Sequence, residues 1–161
     1  MTTEISTELL GESLEEVASG IHGAIGGNLT GYLFAYLQQN KIGRVFNAQT
    51  DFTLVGFGTK RPDVAFVEQE KLSVIPDAEI PFAPDLAVEV ISRTDDWSEI
   101  ADKANQYIQC GTRLVWVVDP YTKSVFVFRL AQPMKLLNNT DALDGFEVLP
   151  GFKLEVNKLF E

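Results

Sequence analysis

Residues 84–119 read PDLAVEVISRTDDWSEIADKANQYIQCGTRLVWVVD, and this stretch decides the fold. The run DLAVEVIS at 85–92 alternates its side chains between two faces and is typical of a buried strand. The segment at 97–111 has a helical pattern, and Gly111 suits the end of that helix. Its apolar face is formed by Ile100, Ala104, Tyr107 and Ile108. The strand at 113–119 follows, so the order predicts a βαβ unit with a right-handed crossover and locally parallel pairing.

Further short runs of strand-forming residues surround this unit. They are RVFNA, FTLVGF, DVAFVE and SVFVFRL, at 44–48, 52–57, 63–68 and 124–130. The tail FEVLPGFKLEVNKLF at 146–160 predicts another strand or hairpin and a short terminal element. No repeat or linker interrupts the chain. We therefore expect one α/β domain over residues 1–161, with a mixed β-sheet flanked by helices.

A long helix is predicted ahead of the strands. Ser13 and Glu16 have the spacing of a capping box, and the helical pattern ends near Asn40. The recurring apolar residues are Val17, Ile21, Ile25, Leu29, Leu33 and Leu37. Five glycines lie in the same segment, namely Gly20, Gly23, Gly26, Gly27 and Gly31. Each costs about 1 kcal/mol relative to alanine in a helix, so we expect something to pack close to this backbone.

Composition limits the classes of function. The net charge is -10, and a strongly acidic protein repels phosphate backbones, which argues against promiscuous DNA binding. Cys110 is the sole cysteine, which excludes an internal disulfide and a cysteine-based metal site. No apolar run approaches the ~20 residues of a membrane-spanning helix. The acidic start MTTEISTELLGESLEE lacks the basic region of a signal peptide. We therefore expect a soluble, cytoplasmic protein without membrane contacts.

Two carboxylates are candidate metal ligands. Asp63 and Asp85 each follow a proline at the entrance of a predicted strand, and Glu89 lies inside the apolar strand that begins at Asp85. A carboxylate among apolar neighbours needs a partner or a metal. The segment between the two strands is long enough for them to be neighbours, so Asp63 and Glu89 could approach across the sheet. Such a pair suits a hard cation such as Mg²⁺, which can activate water and stabilise charge on a phosphate oxygen.

Lys103 is the candidate catalytic cation. It lies on the helix that follows the strand of Glu89 and borders that helix's apolar face. Its stem could be buried while its ammonium lies near the carboxylates, where it could orient the attacking water or stabilise a developing negative charge.

Structural roles compete with each of these assignments. Asp63 could equally serve only to start a strand after Pro62, and strand entry is the favoured interpretation of Asp85. Glu89 is the residue least easily explained by structure. A helical lysine such as Lys103 is more often simply solvated, and a lone helical histidine such as His22 is more often structural than catalytic.

Several segments together resemble one known family. They are SGIHGAIGGNL, RPDVAFV, PDLAVEVIS, DKANQYIQCGTRLVWVVDP and SVFVFR. In this order they are similar to the Uma-type putative restriction endonuclease domain family, which belongs to the PD-(D/E)xK nuclease superfamily. The resemblance covers about residues 14–155. Its specificity lies in the ordered combination, since any one segment alone is a weak match.

The resemblance implies a restriction-endonuclease-like core and hydrolysis of phosphodiester bonds in DNA with Mg²⁺ or Mn²⁺. It also implies an acidic site at Asp63 and Glu89, and it is compatible with a homodimer. The superfamily motif would place a lysine two residues after Glu89, where this chain has Ile91. Lysines that have moved to another element occur in this superfamily, and Lys103 is the replacement that we infer.

Two functions therefore remain open. The first is a metal-dependent DNA endonuclease in which Asp63 and Glu89 hold the ion and Lys103 assists water. The second is a catalytically inactive binding or assembly module that keeps the nuclease fold. The net charge of -10, the absence of a basic tract and the isoleucine at position 91 favour the second. The first is the preferred prediction, because a polar cluster retained within an apolar strand should have a function.

Overall fold

The computed structural model describes residues 19–161. Its two α-helices are α1 (Gly20–Gln39) and α2 (Trp97–Gln109). The strands are β1 (Gly43–Asn47), β2 (Phe52–Leu54), β3 (Gly58–Lys60), β4 (Val64–Glu68), β5 (Leu86–Val90), β6 (Leu114–Asp119), β7 (Ser124–Arg129), β8 (Lys135–Leu137), β9 (Ala142–Asp144) and β10 (Lys153–Glu155). Two short 3-10 helices span Gln69–Lys71 and Val156–Phe160.

Six strands form the main sheet in the order β1-β4-β5-β6-β7-β8. Within it β5 and β6 are parallel, because α2 carries the chain back to the starting edge, and the other neighbouring strands are antiparallel. The predicted βαβ unit and the mixed α/β sheet are confirmed. The strands β2 and β3 form a separate hairpin, as do β9 and β10.

The two helices cover opposite faces of the sheet. Ile25, Leu29, Leu33 and Leu37 of α1 recur every fourth residue and belong to the cluster that contains Leu86, Val88 and Val90 of β5. Ala104 and Tyr107 of α2 belong to the cluster that contains Ala87 on the other face of β5. Burying one leucine side chain contributes roughly 1.5–3 kcal/mol, so these stripes hold both helices on the sheet. The predicted alternation of β5 therefore directs Glu89 toward α2.

Two local predictions are wrong. The run FTLVGF at 52–57 is not one strand, because β2 ends at Leu54 and the chain reverses direction before β3. Gly56 and Gly58, with φ of +88° and +81°, provide backbone conformations that L-residues with a side chain rarely adopt. The expectation of close packing at the glycines of α1 also fails within residues 19–161. A Cβ atom built on any of those five glycines would have no neighbour within 4 Å, since the helix packs on the sheet through its leucine stripe.

The start of α1 is set by a serine. The Ser19 side chain accepts a hydrogen bond from the Ile21 N–H at 3.2 Å, and the first helical residue is Gly20. The predicted capping box of Ser13 and Glu16 lies outside the described residues. The end of α1 at Gln39 agrees with the prediction. Neither α-helix in this part of the chain is both long and apolar enough to cross a bilayer.

Candidate active site

Antiparallel pairing brings the start of β4 beside the end of β5. Asp63 directly precedes β4, and its N–H donates to the Val88 carbonyl at 2.9 Å. Its carboxylate Oδ2 accepts a hydrogen bond from the Val90 N–H at 2.7 Å. Asp63 therefore makes hydrogen bonds to the residues on either side of Glu89 in the neighbouring strand. This agrees with the expectation that Asp63 and Glu89 approach each other across the sheet.

Glu89 is held by two residues of α2. Its Oε1 atom lies 2.9 Å from Lys103 Nζ and accepts a hydrogen bond from the Tyr107 hydroxyl, also at 2.9 Å. Lys103 and Tyr107 are four residues apart on the helix, so both side chains project from the same face. The Glu89 side chain is only 14% exposed. The polar partners that a buried carboxylate requires therefore come from the helix, while Ile91 packs against the apolar cluster on this face.

A cavity of about 430 Å³ brings the three predicted residues together. Its charged and ionisable lining consists of Asp63, Glu89, Lys103, His22, Arg61, Asp95 and Glu99. Four of these residues are acidic, so the cavity has an excess of negative charge unless a proton or a cation is bound. This location confirms that Asp63, Glu89 and Lys103 share one pocket, while their roles stay predictions.

Burial governs the ionisation of both carboxylates. Burial raises the pKa of Glu89 to about 7, Lys103 opposes the rise, and the neighbouring charge of Asp63 adds to it. Burial also raises the pKa of Asp63, against the hydrogen bond from Val90 and the attraction of His22 and Lys103. The pKa of the Tyr107 phenol is raised by burial and by Glu89, so Tyr107 stays a hydrogen-bond donor. Two carboxylates that both resist ionisation form a site that a cation would stabilise.

The donor set fits a magnesium ion with a small number of protein ligands. Within residues 19–161 no three His, Cys, Asp or Glu side chains are grouped as a ready metal site, so Asp63 and Glu89 are the available pair. Mg²⁺ is commonly held by one or two carboxylates and keeps several waters or substrate oxygens. The hydrogen bonds described above involve Asp63 Oδ2 and Glu89 Oε1, which leaves Asp63 Oδ1 and Glu89 Oε2 for an ion.

Asp85 lies at the opposite end of β5 from the cavity. It is fully buried and accepts hydrogen bonds from the Glu68 N–H at 2.8 Å and from Lys71 Nζ at 2.5 Å. Arg113 approaches the same carboxylate at 3.4 Å and also pairs with Glu68. These partners agree with the interpretation of Asp85 as a residue of the strand entrance. It takes no part in the candidate site.

For two residues near the cavity, the sequence predicts only a structural role, and the structure shows polar contacts as well. Tyr107 was expected to pack on the apolar face of its helix, and its hydroxyl binds Glu89. Its position four residues after Lys103 was the signal that could have revealed this. His22 was expected to be structural, yet it lines the cavity and its Nε2 lies 2.7 Å from the Val90 carbonyl oxygen. No local pattern indicates that contact, because the two residues are 68 positions apart.

Comparisons with known proteins agree with this architecture. A crystal structure of a putative nuclease belonging to DUF820, from Anabaena variabilis ATCC 29413, superposes with a TM-score of 0.78 at 23% sequence identity. The alignment covers 89% of this chain and 82% of that one, so the two share a fold. No curated protein matches the chain. The sequence model of the Uma2 family, described as "Putative restriction endonuclease", matches residues 1–157. This match is slightly longer than the predicted 14–155, and the chain belongs to the Uma2 family.

Proposed function

We propose that this protein is a metal-dependent endonuclease that hydrolyses phosphodiester bonds in DNA, with Mg²⁺ or Mn²⁺ as its cofactor. The observation that carries the proposal is the shared cavity of Asp63, Glu89 and Lys103, with Lys103 Nζ 2.9 Å from Glu89 Oε1. Membership of a family described as putative restriction endonucleases supports the reaction class. The similar fold of the Anabaena variabilis protein, itself described as a putative nuclease, supports it as well.

Each residue has a chemical role in this proposal. Asp63 and Glu89 would hold the ion, and Tyr107 orients Glu89 through the hydrogen bond to Oε1. A bound divalent cation lowers the pKa of a coordinated water and stabilises negative charge on phosphate oxygens. The Lys103 ammonium, which is partly exposed to the cavity, donates a hydrogen bond to the attacking water or to a phosphate oxygen. The water oxygen bonds to phosphorus as the water gives up a proton to solvent. The bond from phosphorus to the leaving sugar oxygen breaks, and that oxygen takes a proton from solvent.

The acidic charge makes DNA binding dependent on the metal. The net charge is -10, and four acids line the cavity beside Arg61 and Lys103. Phosphates are repelled by such a surface. A divalent ion at Asp63 and Glu89 would neutralise the excess negative charge of the cavity at the position where a phosphate must approach. We therefore expect DNA to bind far more tightly with Mg²⁺ or with the inert substitute Ca²⁺ than with EDTA.

Cleavage of a closed circular plasmid tests the proposal, because only an endonuclease can open a molecule without ends. Wild type is compared with Asp63→Asn, Glu89→Gln and Lys103→Met in the presence of Mg²⁺ or Mn²⁺. The matched control is Asp144→Asn, which disrupts an exposed Asp144–Lys153 ion pair that does not line the cavity. We expect cleavage by wild type and the control and loss in the three site variants. Equal cleavage by all five proteins would contradict the assignment.

A noncatalytic binding or assembly module is the second candidate. The charge of -10 and the isoleucine at position 91 favour it. It predicts no metal-dependent cleavage by wild type on circular, linear, single-stranded or RNA substrates. It also predicts that Glu89→Gln leaves any protein partner bound. Detection of metal-dependent nicking that Glu89→Gln abolishes would exclude this second function.

We also propose a homodimer and a location in the cytoplasm, where DNA is accessible. The support for the dimer lies on α1, which contains no charged residue between Gly20 and Gln39. Its exposed surface includes Phe34, which has 56% of its surface accessible. On an acidic protein, an uncharged apolar face is where two copies can meet without repulsion. Sedimentation of wild type and Phe34→Glu tests this, with a monomer expected only for the variant.

A further inference from the structure

His22 connects α1 to the end of β5 at the rim of the cavity. Its Nε2 atom lies 2.7 Å from the carbonyl oxygen of Val90. A carbonyl oxygen can only accept a hydrogen bond, so Nε2 carries the hydrogen and donates it. Val90 is the last residue of β5 and directly follows Glu89. The imidazole therefore holds the backbone next to one of the proposed metal ligands.

The same residue of β5 is held at its other polar group by Asp63. The Val90 N–H donates to Asp63 Oδ2 at 2.7 Å, while the Val90 carbonyl accepts from His22. The following residue, Ile91, donates its N–H to the Val118 carbonyl of β6 at 2.8 Å. The backbone of Val90 thus lies between Asp63 and His22, and a shift of this backbone would move Asp63 and Glu89 relative to each other.

The second ring nitrogen of His22 shows that this arrangement has a cost. Nδ1 is buried and has no hydrogen-bond partner among residues 19–161. A buried polar atom without a partner destabilises a fold by about 1–3 kcal/mol. An apolar side chain at position 22 would avoid that cost, since α1 already packs through its leucine stripe. The Nε2 contact is therefore what the imidazole provides at this position.

We propose that His22 is a positioning residue of the active site. Through the Val90 carbonyl it fixes the end of β5 and with it the relative placement of the Asp63 and Glu89 carboxylates. The inference rests on the proposed function, because the purpose of that placement is to bind a divalent cation. Residues that orient metal ligands typically change metal affinity by about 10–100-fold when they are removed.

A second hydrogen bond from α1 provides a matched control. Asn28 Nδ2 donates to the carbonyl oxygens of Leu159 and Glu161, each at 3.1 Å. Asn28 therefore also connects α1 to a distant backbone, but at the C-terminal 3-10 helix and away from the cavity lining. A purely structural role of His22 predicts that its removal resembles the removal of Asn28.

The test compares wild type with His22→Leu, His22→Asn, His22→Gln and Asn28→Leu. Leucine removes the donor, asparagine is too short to reach Val90, and glutamine places an N–H near the position of Nε2. Titration calorimetry measures Mn²⁺ affinity, and hydrogen exchange of the Val90 amide is followed without metal. We expect His22→Leu and His22→Asn to bind Mn²⁺ about 10–100-fold more weakly and to exchange the Val90 amide faster. Glutamine should restore both properties, and Asn28→Leu should change only the free energy of unfolding.

The two readouts separate the failure of this inference from failure of the proposed function. If a folded His22→Leu or His22→Asn protein keeps the wild-type Mn²⁺ affinity and Val90 exchange, His22 is not a positioning residue. If wild type binds no Mn²⁺, the proposed metal site is wrong, and the exchange rates alone decide the role of His22. In that case faster Val90 exchange without the donor, restored by glutamine, supports positioning, and unchanged exchange overturns it.

Discussion

Asp85 and Glu89 are carboxylates at opposite ends of β5, and their surroundings differ in one decisive respect. Asp85 is fully buried and is satisfied by a backbone N–H, Lys71 and Arg113. Glu89 is partly exposed to a cavity, is bound by Lys103 and Tyr107 through Oε1, and lies near a second carboxylate. Positive partners surround Asp85, whereas negative charge accumulates around Glu89.

This difference separates a structural carboxylate from one that is available for chemistry. Burial alone does not distinguish the two, because Asp85 is the more deeply buried residue. The distinction is whether the donors around the carboxylate satisfy it fully. At Glu89 the effect of burial is larger than that of the hydrogen-bond donors, and it raises the pKa to about 7. The carboxylate at this end of β5 would therefore be stabilised by a bound proton or metal ion.

Replacement of Asp85 is expected to have the largest effect on stability. Asp85→Asn removes the charge that Lys71 and Arg113 bind, while the amide oxygen can still accept from Glu68. Loss of charged hydrogen bonds at a buried site should lower the free energy of unfolding by about 3–4 kcal/mol. Urea denaturation measures this. A stability within 0.5 kcal/mol (roughly the scatter of surface substitutions) would show that the network contributes little.

Replacement of Glu89 is expected to have the opposite profile. Glu89→Gln removes one ligand charge, so metal-dependent cleavage should fall on the order of 10²-fold, which corresponds to about 2.7 kcal/mol. The metal-free variant should be at least as stable as wild type at pH 8, because a carboxylate that resists ionisation has been removed. Steady-state cleavage rates and urea denaturation test both parts. A variant that is strongly destabilised without metal would place Glu89 with Asp85 as a structural residue.

The raised pKa of Glu89 predicts a specific pH dependence. The folded value of about 7 lies above the ordinary value of 4.5, so the folded state binds the proton more tightly than the unfolded state. The resulting stabilisation is present below pH 4.5 and is lost as pH rises through 7. Between pH 5 and 8 the metal-free wild type should lose on the order of 2 kcal/mol relative to Glu89→Gln. If the free energies of unfolding of the two proteins had the same pH dependence, this would contradict the raised pKa of Glu89.

Metal affinity should depend on the same protonation of Glu89, but it should increase with pH where stability decreases. The ion competes with the proton on Glu89, so Mn²⁺ affinity should increase from pH 6 to pH 8 in wild type. Calorimetry in buffers of different ionisation enthalpy would measure the protons released. Wild-type affinity that is independent of pH would indicate that the ion does not contact Glu89.

Removal of the Tyr107 hydroxyl is expected to have the smallest effect. Tyr107→Phe deletes one hydrogen bond to Glu89 Oε1 and leaves Lys103 in place. The expected loss of transition-state stabilisation is about 1 kcal/mol, or roughly fivefold in cleavage rate. The pKa of Glu89 should rise further, because a donor to its charged form is lost. NMR titration of the Glu89 side chain checks the direction, and an unchanged pKa would mean that the hydroxyl does not bind the carboxylate in solution.

The sequence predicts the local and periodic features of this protein well. The βαβ unit follows from alternation in β5, a helical face in α2 and a second apolar strand. The proximity of Asp63 and Glu89 follows from the pairing of their strands, and the position of Lys103 follows from the helix after β5. These relations depend on neighbouring elements, whose geometry is restricted by short connections and sheet pairing.

The features that were missed depend on tertiary packing. The contact between His22 and Val90 arises only when α1 is placed on the sheet, and no spacing in the sequence encodes it. The glycines of α1 are predicted to lie against another backbone, but the helix packs through its leucine stripe and leaves free space around each glycine. The low helix propensity of glycine shows that this helix is unusual. It does not show what packs against each face of the helix, because the rest of the fold determines that.

The placement of Lys103 on α2 also affects how much the neighbouring loop can change. Lys103 and Tyr107 reach Glu89 from one turn of a helix that is held on the sheet by its buried face. The distance from Lys103 to Glu89 therefore depends on the docking of α2 and not on the number of residues between them. The connection from Ser92 to Asp96 can lengthen or shorten without moving the pair, provided that α2 stays in place. A lysine two residues after the glutamate on the same strand would instead be held at a distance that the strand backbone fixes, whether or not α2 docks.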